Sequence, residues 1–225
     1  MYSFFEIIQQ CPLFAEIADA DLQKLLTCLS AAQRSYAKGE PIFIAGDTIH
    51  SVGVVLSGGV HITQEDYWGN RTILAHVEPG QLFGEAFSCA EIDSLPVSGV
   101  AAEASMVLLL DYARIITTCS HACNFHTQLV KNMLKTIARK NILLTQKMEI
   151  VAHRTTKERL LAYLSAQALR AGRNRFTIPF NRQELADYLS VERSAMSTVL
   201  SQMQAEGLLR TNKNEFEIFS CTNKI

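Results

Sequence analysis

The stretch from about Phe125 to Val151 contains no glycine and no proline across more than twenty-five residues, and it reads as one long helix. Read in sevens, Thr127, Leu134, Asn141 and Met148 share one position, and Val130, Ile137, Leu144 and Val151 share the position three residues on. This 3-4 spacing makes a narrow apolar seam suited to pairing with a second helix. Asn141 within the seam is the kind of polar residue that sets register and oligomer number. A second row, Leu129, Thr136, Leu143 and Ile150, repeats on another side. Two rows imply two surfaces to cover, one on a twin helix and one on the chain's own domains. The plainer reading is a core helix that is apolar on more than one side.

The helix separates regions of different charge. Residues 1–152 carry 10 Lys and Arg against 15 Asp and Glu, whereas residues 153–225 carry 11 against 7. A basic C-terminal third attached to an acidic remainder suits a nucleic-acid reader joined to a sensing part. At 225 residues and 48% hydrophobic content the chain has material for two modest cores. The run Met106 to Leu110 is too short to span a bilayer, and the N-terminus lacks the pattern of a signal peptide. The expectation is a cytoplasmic protein without membrane contact. The cysteines at 11, 28, 89, 119, 123 and 221 form no CxxC pair, which argues against a zinc ribbon or a thioredoxin motif.

Residues 4–14 and 19–32 read as short helices, the second capped by Asp19 with Leu22, Leu25, Leu26 and Leu29 facing inward. From Ala31 to Asp111, short β-branched runs alternate with glycine-centred turns such as those at Gly39, Gly46, Gly58-Gly59, Gly69 and Gly80. That spacing describes a β-sandwich or roll. Beyond the long helix, Thr155 to Glu158 forms a capping box. A further helix follows, then the strand RFTIPF, and a hairpin closes the chain.

Residues 181–207 hold two helices about a tight turn at Ser190-Val191, with Asn181 capping the first. The second, from about Arg193 to Glu206, buries Met196, Val199, Leu200 and Met203 and exposes Arg193, Ser194, Ser197, Thr198 and Ser201. One Arg and several short hydroxyls can reach base edges and phosphates in a major groove. Arg182, Gln183 and Lys213, the last at the hairpin tip, complete the expected DNA-contacting set. The competing reading is a three-helix core with a merely solvated face.

Lys38 to Asp47 (KGEPIFIAGD), VVLSGGVHI, Glu78 to Glu85 (EPGQLFGE), the long helix and NRQELADYL..ERSAMS together resemble the Crp/Fnr family of bacterial transcription regulators over nearly the whole chain. The resemblance implies an α+β fold: a cyclic-nucleotide-binding-type β-roll over residues 1–120, a dimerisation helix over 121–152 and a winged helix-turn-helix over 153–225. It further implies a homodimer on a palindromic double-stranded DNA operator, with RNA polymerase as a partner and no enzymatic activity.

Departures from the family pattern bear on the effector. The resemblance places an effector pocket at Phe83, Gly84, Glu85, Ala86, Val97, Ser98 and Gly99. In cAMP-binding relatives FGE holds the ribose and an Arg-Ser pair holds the cyclic phosphate. Phe83-Gly84-Glu85 is intact here, but the Arg-Ser position reads Val97-Ser98, leaving a phosphate uncompensated unless Arg71 reaches it. The effector is therefore expected not to be cAMP, and its identity stays open. An iron–sulfur cluster of the oxygen-sensing branch is not supported by Cys11 and Cys28 alone. Haem held by His50, His61 or His76 is an alternative, as is thiol or metal chemistry at Cys119, Cys123 and His126. A metal-dependent β-roll enzyme would need an HxH motif that the chain lacks, and a protein-binding winged helix is the remaining alternative. The family's usual Arg is replaced by Thr198 and its frequent Glu by Ser194, so the operator should differ from the family's commonest palindrome.

Overall fold

The computed structural model describes residues 4–117 and 124–219. It divides into two compact units, Met1–Ile142 and Leu143–Ile225, and the boundary falls inside the long helix.

In the first unit, helix α1 (Phe4–Gln10), a 3-10 turn (Pro12–Phe14) and α2 (Asp19–Cys28) precede the strands. Asp19 was expected to cap α2. Ala18 holds the cap position without a side-chain bond, and Asp19 stands in the first turn, where its charge favours the helix dipole. Strands β1 (Ala32–Tyr36), β2 (Pro41–Phe43), β3 (Ser51–Ser57), β4 (Val60–Glu65), β5 (Arg71–Val77), β6 (Leu82–Phe83), β7 (Ser98–Ala101) and β8 (Ser105–Asp111) form two four-stranded antiparallel sheets. Their orders are β1-β8-β3-β6 and β2-β7-β4-β5. Short helices α3 (Glu85–Cys89) and α4 (Tyr112–Ile116) follow β6 and β8.

The period of two along β3 and β8 decides how the layers pack. Val52, Val54 and Leu56, with Leu108 and Leu110, face outward to a core shared with α1, α2 and the first half of the long helix. Val55 and Val107 face inward, joining Phe43, Val60, Ile62, Phe83, Leu95 and Val97 inside the roll. Both faces of these strands are buried, so they read as continuous apolar runs. Gly53 is required on the inner face, since a Cβ there would lie 2.1 Å from the Phe83 ring.

Helix α5 runs unbroken from Asn124 to Ala152. Leu129 and Met133 enter the outer core, and Asn132, 1% exposed, donates to Leu13 O at 3.0 Å and Ala15 O at 2.7 Å. Leu143, expected on the row that covers the chain's own domains, is 59% exposed.

The second unit begins with the end of α5. Helix α6 (Thr156–Ala171) follows, opened by the capping box between Thr155 and Glu158 and closed by Gly172 in the left-handed region. Strand β9 (Arg175–Thr177), α7 (Arg182–Leu189), α8 (Arg193–Ala205) and the wing β10 (Leu209–Asn212) and β11 (Glu215–Ile218) complete it. The wing is a three-stranded antiparallel sheet in the order β10-β11-β9.

Candidate nucleic-acid interface and effector roll

The helix-turn-helix is set by its caps. Asn181 accepts from the backbone of Gln183 and Glu184, and Glu184 returns a bond to Asn181 N, a reciprocal box that starts α7. Ser190 takes φ 53°, turning the chain sharply before α8. Arg159 of α6 fastens the turn by donating to Leu189 O at 3.1 Å and Ser190 O at 2.9 Å. Ala186, Leu185, Met196, Leu200 and Met203 are buried between the helices.

Arg193, Ser194, Ser197, Thr198 and Ser201 all stand exposed along α8, and Lys213 stands exposed in the wing turn at φ 53°. Gln183 is exposed and donates to Asp187 Oδ1 at 2.8 Å. Arg182 is placed differently. Its guanidinium donates to Thr211 Oγ1 at 2.7 Å and lies 5.1 Å from the Phe216 ring, and burial lowers its pKa. It braces α7 against the wing. Two features escaped the sequence reading. Glu192, one residue before the expected reading set, caps α8 by accepting from Ser194 N and Ala195 N. Arg159 gave no signal, because an Arg in a helix bears no mark of the carbonyls it will meet.

In the roll, Phe83, Gly84, Glu85, Val97 and Gly99 are buried, Ser98 is half-buried and Ala86 is exposed. A cavity of about 200 Å³ beside Phe83 and Gly84 is also lined by Phe43, Ile49, His50 and Ser51. Small-ligand sites usually offer more, about 300 Å³ upward. Val97 belongs to the apolar interior, and Ser98 Oγ accepts from Ala45 N at 2.9 Å. Ser98 pairs with Thr63, and Thr63 with Ile73, which leaves Arg71 two strands over and two residues further along. Glu85 is met by Lys140 of α5 at 2.8 Å.

Among the described histidines and cysteines of the first unit, His50 is the one that lines this cavity. His61 and His76 oppose one another across the β4–β5 ladder with ring centroids 5.0 Å apart. Burial and the neighbouring His76, Arg71 and Lys38 push the His61 pKa down to about 4. A Cβ on Gly59 would lie 2.6 Å from the His76 ring, so that ring packs directly against the Gly59 backbone. Cys11 is fully buried with its thiol pushed up to about 12 by burial, contrary to what a thiolate ligand needs. His126 Nε2 lies 3.8 Å from Cys28 Sγ. Cys119 and Cys123 fall outside the described residues. Among the described residues no three His, Cys, Asp or Glu groups gather to hold a metal, and no helix is long and apolar enough to cross a membrane.

Comparison with known proteins meets the same two regions. Residues 33–121 match the cyclic nucleotide-binding domain family, and residues 158–221 match the Crp-like helix-turn-helix domain family. The transcriptional activator protein FnrA of Stutzerimonas stutzeri is 28% identical over 192 residues, 82% of this chain and 75% of that one. The cyclic AMP receptor protein of Thermus thermophilus is 27% identical over 210 residues, 92% of each. The fold is shared with the c-di-GMP-responsive global regulator CLP of Xanthomonas campestris. That structure has a TM-score of 0.74 at 19% identity, covering 90% of this chain and 100% of that one. With a cyclic-nucleotide-binding-type roll, a long helix and a Crp-like helix-turn-helix in one chain, this protein belongs to the Crp/Fnr family of DNA-binding transcription regulators.

Proposed function

We propose that the protein works as a homodimer that reads a palindromic DNA operator through α8 and answers to an effector other than cAMP. The observation that carries the reading is the outer face of α8, where Arg193, Ser194, Ser197, Thr198 and Ser201 are exposed while Met196, Leu200 and Met203 are buried on the inner face and Val199, expected to be buried with them, is half-buried. Side chains at the start of such a helix reach base edges, while Lys213 in the wing meets phosphate. Gln183 at the start of α7 serves as a further backbone contact. Arg182 acts indirectly, by holding α7 on the wing.

Dimerisation rests on α5. Leu134, Leu144 and Met148 are 64%, 54% and 63% exposed, an apolar row that a single chain leaves in water. With Val130, Ile137, Asn141 and Val151 it forms the proposed contact between two copies. Pairing would set the two α8 helices roughly 34 Å apart, one DNA turn. RNA polymerase is the expected further partner of a regulator of this kind.

The effector proposal rests on Val97 and on Lys140. A cyclic phosphate at the 97–98 position would face apolar core in place of a guanidinium, and Glu85 is already engaged by a cation from α5. Selection from a random DNA pool tests the first reading: an enriched palindrome is expected, and recovery of unselected sequence at physiological salt would overturn it. A thermal-shift titration tests the second, with cAMP leaving the midpoint unchanged; a saturable rise would refute it.

A further inference from the structure

The hydroxyls of α8 have their protons committed. Ser197 Oγ donates to Arg193 O at 2.9 Å, Thr198 Oγ1 to Ser194 O at 3.1 Å and Ser201 Oγ to Ser197 O at 3.0 Å. Ser194 Oγ donates to the Glu192 carboxylate. Each of these partners is a carbonyl or a carboxylate, which only accepts, so the direction of every bond is settled by chemistry. What the hydroxyls turn toward solvent is lone pairs. Glu192 adds a carboxylate at the head of the same helix, where it fills the backbone N–H groups of Ser194 and Ala195. These bonds hold its pKa down at about 2, so it is charged throughout the working range. On this face Arg193 is the donor, the side chain that can make the bidentate contact to guanine O6 and N7.

We propose that α8 reads its half-site through base amino groups, with Ser194, Ser197 and Thr198 accepting from adenine N6 or cytosine N4, and that it reads a guanine edge at one position, through Arg193. The inference rests on the DNA-reading role proposed above and specifies its chemistry. Glu192 has a second consequence. It occupies the N–H groups that an uncapped helix start would offer to phosphate and sets a negative charge beside the backbone. It therefore lowers affinity for DNA of any sequence, which widens the gap between operator and bulk DNA.

The test uses the full-length protein and the sequence enriched from a random pool. Guanines methylated at N7 are scored for interference with binding. An interfering guanine in each half-site whose signal vanishes in Arg193→Ala is expected. Guanine interference that is the same in Arg193→Ala and the parent would overturn the proposal while leaving the DNA-reading role standing; failure of any sequence to enrich would overturn both. Glu192→Ser retains a good cap. It should tighten binding to unrelated DNA by about 3- to 10-fold, as loss of one repelled charge implies. Unchanged or weaker non-specific binding would overturn the role given to Glu192.

Discussion

Lys140 places its ammonium 2.8 Å from Glu85 Oε1 and donates as well to the carbonyl of Leu82, so a cation from α5 closes on the most buried carboxylate of the roll. Among the described residues Glu85 Oε2 has no hydrogen-bond partner, which makes Lys140 its chief compensation. The pair joins the helix to the β6–α3 corner within the first unit.

Removing that cation leaves a charge in apolar surroundings. Lys140→Met should destabilise the protein by about 1–3 kcal/mol, less than for a fully buried pair because the Lys140 side chain is 35% exposed. Adding Glu85→Gln should recover much of the loss. Urea unfolding of the two variants measures this, and equal stability of Lys140→Met and the parent would show that the pair contributes nothing.

Charges on the apolar row of α5 should separate the copies. Leu144→Glu with Met148→Glu is expected to give monomers in sedimentation equilibrium with the circular dichroism of the folded chain preserved. Asn141→Leu should raise dimer stability and broaden the set of assembly states. A dimer unaffected by the paired glutamates would place the interface elsewhere.

Contacts to bases and to phosphates should separate by mutation. Arg193→Ala is expected to cost about 1–3 kcal/mol on the operator and to relax preference at one base pair. Lys213→Ala should weaken all sequences alike and flatten the salt dependence. Competition gel shifts at several salt concentrations read both.

Two buried bases make stability depend on pH. Lys147, 9% exposed and 4.0 Å from the Tyr188 ring, has its pKa lowered to about 8 by desolvation. Between pH 8 and about 10.4 the unfolded chain holds a proton that the folded one has released, so stability contributed by this site rises with pH through that window. Lys147→Met should raise the thermal midpoint at pH 7 and remove the rise. His61, lowered to about 4, acts at the other end. The unfolded state takes up the proton below about 6.5 and the folded state only near 4, so stability falls as pH drops between those values. Thermal melts of His61→Gln should lack that acid slope.

The periodicities and caps of single segments determined the elements and, with the family motifs, their order. The long helix was legible because nothing between Phe125 and Val151 interrupts it, and the α7–α8 pair because Asn181, Glu184 and the Ser190 turn act over four residues or fewer. Such signals are local, and backbone hydrogen bonding converts them directly into structure. Tertiary structure alone decided which polar groups meet across the chain. Arg182 was expected as a DNA contact, and the fold sets its guanidinium against Thr211 and Phe216. Glu85 was expected in the effector pocket, and α5 brings Lys140 to it from 55 positions along the chain. A side chain's charge is written in the sequence; its partner, and so its freedom to act, depends on contacts between distant segments that no local pattern encodes.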